Sequence, residues 1–519
     1  MAEHINAIHY EFLMDRHGRI DLDPLPSMDV NDPYNWSASK KNVNLLLVSF
    51  QSMITVLNAA AILPAVLMLA KDLNVSVTKV TYLIGVQILF LGISPLFWKP
   101  FSQRYGRRPI FLVSALGGGL FNLACAKTTS FSSQIVTRIF VSIFLSPSLA
   151  LGGAVVTETF FAHERARKMG FWTLAFTCGP ALGPFIAGFI VQHTGTWTWV
   201  YWALAIISFA SFIANIFFAP ETLYMRDPSS TDNTTTKSSL KTQYASLRRI
   251  DPSSFTLREF YLPFMMLRHA CVLLPSVAYA VVFNIASPAL SIAIPSAYAE
   301  KFHLNARQIG LQFAAILIGA IIGELLGGRI SDTIMNRRAK VAHGLWIPEF
   351  RLWISYLGFA CIIAGVLEWG VTLENAPEGP WTVVPDIGLG IASFGNQLIS
   401  SSLVTYAIEC YPPETAASIG SAINQVRQIW SFLGPFWFTP LYQNVGYEKA
   451  AGIMVGIVVG AALLPTLSLQ IFGGKWRGSR ASSDGPIDLD VPATTNVTSR
   501  TASMTEDKGK LGQVERLAN

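Results

Sequence analysis

Two arginines stand inside stretches of this chain that are otherwise almost wholly apolar. Arg138 falls in Ile135–Thr157 and Arg427 in Ile419–Tyr442. A guanidinium in such surroundings is costly, which makes it a functional candidate by default. Arg427 has Asn424, Gln425 and Gln428 as neighbours; it could meet an anionic group of a ligand or pair with a carboxylate. Arg138 lies toward one end of its stretch, where snorkelling to water is the plainer alternative. Proton chemistry needs a carboxylate or histidine whose environment changes as a cavity opens. Glu158, Glu324 and His269 are the groups placed for it. Glu324 comes about two turns before Asp332 and reads with it as one polar clamp. Glu368 and Asp386 read as solvated ends. Uncharged polar groups at mid-stretch are Gln51, Thr55, Asn58, Asn284, Asn396 and Gln397. Amides among 33 Phe, 13 Trp and 15 Tyr suit a bulky, mostly apolar ligand held by few hydrogen bonds. Each amide is equally placed to bond a neighbouring helix.

The elements that carry these residues are membrane spans. Of 519 residues, 51% are hydrophobic and 13% charged, with a mean hydropathy of +0.41. An ordinary soluble domain is about 25% charged. Apolar blocks run Val43–Ala70, Val80–Trp98, Ile110–Ala126, Ile135–Thr157, Met169–Gln192 and Trp197–Ala219. They resume at Ala270–Ser296, Ile309–Gly328, Leu352–Val371, Val383–Ile408, Ile419–Tyr442 and Ala450–Phe472. Each is long enough for a helix to cross a layer of ~30 Å. The expected fold is therefore an all-α membrane protein with twelve transmembrane helices in two six-helix bundles. Its domains are a cytoplasmic N-terminal segment 1–42, a first bundle 43–219, a cytoplasmic linker 220–268, a second bundle 269–473 and a disordered cytoplasmic tail 474–519. The five scattered cysteines predict neither a disulfide nor a zinc site.

Charge placement orients the chain. The loops on the side of both termini carry Lys99, Arg104, Arg107 and Arg108, then Arg165, Arg167 and Lys168, then Arg329, Arg337, Arg338, Lys340 and Arg351. The opposite loops are poor in Lys and Arg, so both termini and the linker are expected in the cytoplasm. Basic turns follow the second span of each half, at 98–108 and 328–338. That repetition marks a six-span unit used twice, with a ligand site expected between the halves near the bilayer midplane.

The loop Lys99–Pro109 resembles the signature Gly-x-Leu-Ala-Asp-Arg-x-Gly-Arg-Arg of the major facilitator superfamily. Arg104, Gly106, Arg107 and Arg108 match it; Lys99 replaces the usual Gly and Gln103 the usual acid. The second copy keeps its acid as Asp332. Arg138 with Ser142 resembles an antiporter Arg-x-x-x-Gly motif, and Gly179-Pro180-Ala181-Leu182-Gly183-Pro184 resembles Gly-Pro-x-x-Gly-Gly. Within the superfamily the chain is similar to the twelve-span drug:proton antiporters of fungi, over roughly Asp32 to Phe472. The resemblance implies proton coupling through Arg138 and a gate at the loop arginines, with Glu158 approaching Arg104 or Arg108. Asp332 is expected to act with Arg329 or Arg338. Gly179-Pro180 and Gly183-Pro184 imply a helix kink, with close packing as the alternative; Gly434-Pro435 repeats the pattern in the second half.

The expectation is a carrier in contact with the lipid bilayer, exporting small lipophilic compounds such as drugs, toxins or secondary metabolites against protons. An importer of a small organic acid or amine is the runner-up, and a sensor that moves nothing is the third reading. No cofactor, nucleic-acid partner or enzyme activity is expected, since no phosphate loop, nucleophile–base pair or metal spacing is present. The proton gradient is the expected energy source, a monomer the expected state, and the plasma membrane the expected location, with the vacuolar membrane as alternative. Asn74 heads a glycosylation sequon in an outer loop. Asn233 and Asn496 head sequons on the cytoplasmic side, and Ser482 and Ser483 follow Arg480 in a kinase-type context.

Overall fold

The structure, a computed structural model, describes residues 7–224, 249–251, 256–341, 347–412 and 415–481. The Asn233 and Asn496 sequons, Ser482 and Ser483, and most of the linker lie outside the described residues. Among those described, the chain is built of helices. A short helix α1 (Ala7–His17) precedes six long ones: α2 (Ala38–Asp72), α3 (Val77–Tyr105), α4 (Arg107–Ala126), α5 (Phe131–Thr159), α6 (Ala162–Thr194) and α7 (Thr198–Phe218). After the linker come a short α8 (Arg258–Met266) and a second set: α9 (Ala270–Phe302), α10 (Ala306–Val341), α11 (Pro348–Asn375), α12 (Val384–Glu409), α13 (Ala416–Val445) and α14 (Tyr447–Arg477).

Eleven of these twelve long helices are apolar and long enough to cross a membrane. The exception is α13, which has the length at 30 residues but carries Asn424, Gln425, Arg427 and Gln428 along one stretch. Its polarity belongs to the protein interior: Gln425, Arg427 and Gln428 are all buried. A span that faces partners on most sides does not need the apolarity that lipid imposes.

Proline and glycine set the breaks. Pro95 and Pro147 start fresh helical segments inside α3 and α5, and Pro288 lies in a π-helical turn of α9. The α3–α4 corner turns at Gly106, whose φ of 97° belongs to the region that favours glycine. Ser37, Ser76 and Ser130 cap the starts of α2, α3 and α5 through their hydroxyls.

Helices of the two sets meet along two seams. On one, α6 lies against α10 so closely that a side chain on Gly188 would meet Ala306 O at 2.7 Å and Gly310 Cα at 2.9 Å. On the other, α3 meets α13, with Tyr82 and Phe436 stacked at 4.5 Å between ring centroids. Gly188, Gly310, Tyr82 and Phe436 all belong to the halves of their helices remote from the basic loops. Packing on the α6–α10 seam rests on small residues that let backbones approach. Of the chain after Ile471, residues 472–481 are described and are helical.

Candidate functional site

A cavity of ≈610 Å³ lies between the two sets of helices. Its walls come from α2, α3, α6, α9, α10, α12 and α13, and it reaches Met169, Thr405 and Ile408 near the helix ends that bear the basic loops. The α6–α10 and α3–α13 seams lie toward its other end. Most of the lining is aliphatic or aromatic, including Trp172, Phe176, Tyr279 and Phe283. Uncharged polar groups are Thr173, Thr177, Thr405, Asn396, Gln397, Gln428 and five serines. One carboxylate, Glu324, and one guanidinium, Arg427, face it.

Arg427 is 5% exposed. Its Nη2 donates to Asn424 Oδ1 at 2.8 Å and its Nη1 to the Tyr279 hydroxyl at 3.4 Å. The guanidinium lies 4.3 Å from the Phe283 ring centroid and 5.7 Å from that of Tyr279. Its Nε is buried without an acceptor. No carboxylate among the described residues pairs with it. Aromatic faces relieve part of the burial cost, and the unspent donor points to a missing partner.

Glu324 corrects the sequence reading. It is not part of the clamp with Asp332 but lines this cavity, where Gln397 Nε2 donates to its Oε2 at 3.0 Å. Gln397 also reaches Thr177 Oγ1 at 3.2 Å, and Asn396 donates to Gln397 Oε1. Asn396, Gln397 and Arg427 thus share one site. The structure does not bring Gln51, Thr55, Asn58 or Asn284 to it. Gln51 donates to Phe111 O and Ser114 and accepts from Asn215; Thr55 bonds Gln51 O, Leu145 O and Ser148. Asn58 accepts from Gln87, and Asn284 donates to Trp430 O. These four tie helices together, the alternative open to every mid-span amide.

Arg138 is buried, at 1% exposed, and does not snorkel. It donates to the Tyr201 hydroxyl through both Nε, at 2.9 Å, and Nη2, and to Gln87 Oε1 at 3.3 Å. Asp386, expected to be solvated, is 5% exposed and accepts from the Tyr298 hydroxyl at 2.9 Å. Glu368, also expected in water, has its Oε2 buried.

The basic loops form two ion-pair networks with partners other than those expected. Arg107, not Arg104 or Arg108, holds Glu158, at 2.6 Å from Nη2 to Oε1. The Gly106 turn separates Arg104, at the end of α3, from Arg107 and Arg108, at the start of α4, and so divides their targets. Arg104 makes a bidentate pair with Glu259 of α8, at 2.6 and 2.8 Å. Its bonds hold the Glu259 carboxyl below the ordinary range, against the opposing effect of burial. Arg108 donates instead to the carbonyls of Ala219 and Ile216 that end α7. Glu221 accepts from the backbone N–H groups of Arg107 and Arg108, at 2.8 and 3.0 Å, where the start of α4 offers unpaired donors. Burial pushes the Glu221 carboxyl up, against those backbone bonds. In the second half Asp332 pairs with Arg351, not Arg329 or Arg338, at 2.9 Å; Glu409 shares that guanidinium at 2.7 Å.

Glu259 and Glu221 were missed because both lie past the spans, in the linker segment. Only the loss of the acid at Gln103 signals that Arg104 needs a carboxylate from elsewhere.

Gly179 and Gly183 serve close packing. A Cβ on Gly183 would meet Leu57 O at 2.6 Å, and one on Gly179 would meet Met53 O at 2.8 Å. Pro180 lines the cavity, Pro184 is buried, and α6 runs helical through both. Asn74 is exposed with φ 51° between α2 and α3, and Ser76 of its sequon caps α3.

Residues 48–435 match the Major Facilitator Superfamily. A probable efflux pump of Aspergillus flavus, mfs2, is 27% identical over 431 residues, covering 81% of this chain and 99% of that one. The cycloheximide resistance protein of Candida maltosa is 24% identical over 461 residues, 86% of this chain and 82% of that one. The crystal structure of the human organic anion transporter MFSD10 (TETRAN) superposes with a TM-score of 0.55 at 16% identity, covering 83% of this chain and 99% of that one. Its likeness is one of fold. With its helical architecture, repeated basic turns and cavity between the halves, the chain belongs to the Major Facilitator Superfamily and is a multi-pass membrane transporter.

Proposed function

We propose that the chain exports lipophilic organic compounds by alternating access, drawing on the proton gradient through Glu324. The observation that carries this reading is the cavity: aromatic and aliphatic walls around one carboxylate and one guanidinium. Apolar lining binds bulky compounds by removing their surface from water, and a few polar groups orient them. A deprotonated Glu324 accepts a charge-assisted hydrogen bond from the compound; a proton arriving from outside neutralises the carboxylate, weakens that bond and favours release. Relatives named as an efflux pump and a cycloheximide resistance protein support export rather than uptake. The protein acts as a monomeric carrier, with protons and lipid as its other partners, in the plasma membrane. Arg138, with its hydroxyl and amide partners, supports the same proton-coupled cycle from the first half.

The test is accumulation of labelled cycloheximide and a panel of lipophilic drugs in cells with and without the protein. Lower accumulation, abolished by an uncoupler and by Glu324→Gln, is the expected result. Export that an uncoupler leaves unchanged refutes the coupling, and raised accumulation reverses the direction.

A further inference from the structure

The cavity holds two opposite charges on different helices, Glu324 on α10 and Arg427 on α13, and neither has an ion partner among the described residues. We infer that the compounds it carries are of net charge zero, with a hydrogen-bond acceptor for Arg427 and a separate hydrogen-bond donor for Glu324. This rests on the proposal that the cavity is the transport site, and it names the class of compound that fits.

Charge complementarity carries the inference. An anionic compound would satisfy Arg427 but would be repelled by Glu324, and a cation would meet the reverse. A neutral molecule, or a zwitterion, with an acceptor at one end and a donor at the other meets both without leaving a desolvated charge unmatched. The Arg427 end is built for a carbonyl oxygen. Its Nε is buried without an acceptor, while the Phe283 and Tyr279 rings fix the guanidinium plane beside it. The Glu324 end is built for a hydroxyl or amine. Gln397 donates to Oε2 and the Thr173 hydroxyl also approaches the carboxylate, which leaves acceptor capacity over, since an ionised carboxylate has about four lone-pair sites. The other groups near this carboxylate are Thr173 and Cys178 of α6, and neither is cationic. Phe176, Ile316 and Ala320 line the same cavity and offer an apolar body its contacts. Proton antiport follows for this class. Protonating Glu324 replaces a charge-assisted hydrogen bond to the compound's donor by a weaker neutral one, so binding weakens.

The experiment is binding of matched naphthalene probes to the purified full-length protein, followed by fluorescence. Methyl 6-hydroxy-2-naphthoate carries acceptor and donor; methyl 6-methoxy-2-naphthoate lacks the donor; 6-methoxy-2-naphthoate is the anion. The hydroxy ester is expected to bind about tenfold tighter than the methoxy ester, as a hydrogen bond to a charged group should give. Glu324→Gln, which keeps an amide oxygen but loses the charge, should shrink that preference to roughly threefold, and acidification should weaken the hydroxy ester alone. Arg427→Gln should weaken both esters alike. The ratio between probes is internal to each sample, so a poorly folded variant does not mimic it, and Arg427→Met and Glu324→Leu serve where the first variants misfold. Tighter binding of the anion than of either ester, or no donor preference in the unaltered protein, overturns the inference. Binding needs no transport, so selective binding without export would count against the export reading alone. Export without this selectivity would count against the inference alone.

Discussion

The Arg104–Glu259 pair joins the α3–α4 corner of the first half to α8, the helix that leads into the second half at α9. Removing it by Glu259→Gln should shift the balance between the conformations of the carrier. The magnitude follows from burial. The Arg104 side chain is 3% exposed and the Glu259 side chain 28%. Breaking a fully buried pair costs about 3–5 kcal/mol because one charge is stranded. With more than a quarter of Glu259 in water, the cost falls to about 2 kcal/mol, or roughly 30-fold in a two-state equilibrium. Arg104 keeps its bond to Pro100 O, which argues for the lower end. A cysteine at Thr405, where the cavity nears the basic loops, reports access from that side in a background with the half-buried Cys178, Cys361 and Cys410 replaced. Maleimide labelling from the side of the basic loops should slow by an order of magnitude in Glu259→Gln, because the variant leaves the conformation described here. Labelling within twofold of the parent would refute the reasoning, and would mean that the pair persists in every conformation. The arginine holds the Glu259 carboxyl below its ordinary value of 4.5. A depressed carboxyl stabilises above the unfolded value and loses that effect only as pH falls through the folded one. The pair should therefore be indifferent to pH from about 5 to 8.

Glu221 should behave in the opposite sense. Its carboxyl is raised by burial, so its contribution is present at low pH and is lost as pH rises above 4.5 through the folded value. Glu221→Gln should flatten that acid-side slope in a thermal melt of the purified protein; an unchanged slope would assign it elsewhere. Arg351→Gln leaves Glu409, whose side chain is 23% exposed, without its cation, while Asp332 at 66% exposed loses little; the cost should be about 1–2 kcal/mol, read as a fall in Tm. Arg329→Gln should cost under 0.5 kcal/mol, as an exposed charge does; equal losses would deny the Arg351 assignment. Gly183→Ala drives a Cβ toward the Leu57 carbonyl and should cost about 1–3 kcal/mol, while Gly170→Ala, with open space around it, should be silent. Similar melts for the two variants would show that α6 does not rely on that close approach.

The spans were legible because lipid imposes a long apolar run on each, and eleven helices meet that rule without help. What blurred was depth. The Glu324 position near Asp332 suggested the membrane edge only because the apolar block stops at Gly328. Yet α10 runs 36 residues, about 54 Å, and so projects past the bilayer. Glu324 is its nineteenth residue, roughly 27 Å from the start, which is cavity depth rather than surface. Asp386 errs the other way. It begins α12, and sequence position alone places it in water, but the Tyr298 hydroxyl from α9 covers it. The mid-span amides could not be sorted by sequence, because a helix face is polar whether it meets a ligand or another helix. Asn396, Gln397 and Arg427 reached the cavity, while Gln51, Thr55 and Asn58 were spent between helices. The one sequence signal that separates these sets is density. Four polar residues within Asn424–Gln428 depress α13 below the apolarity of every other span, and a span that polar must be shielded from lipid and turned toward a site.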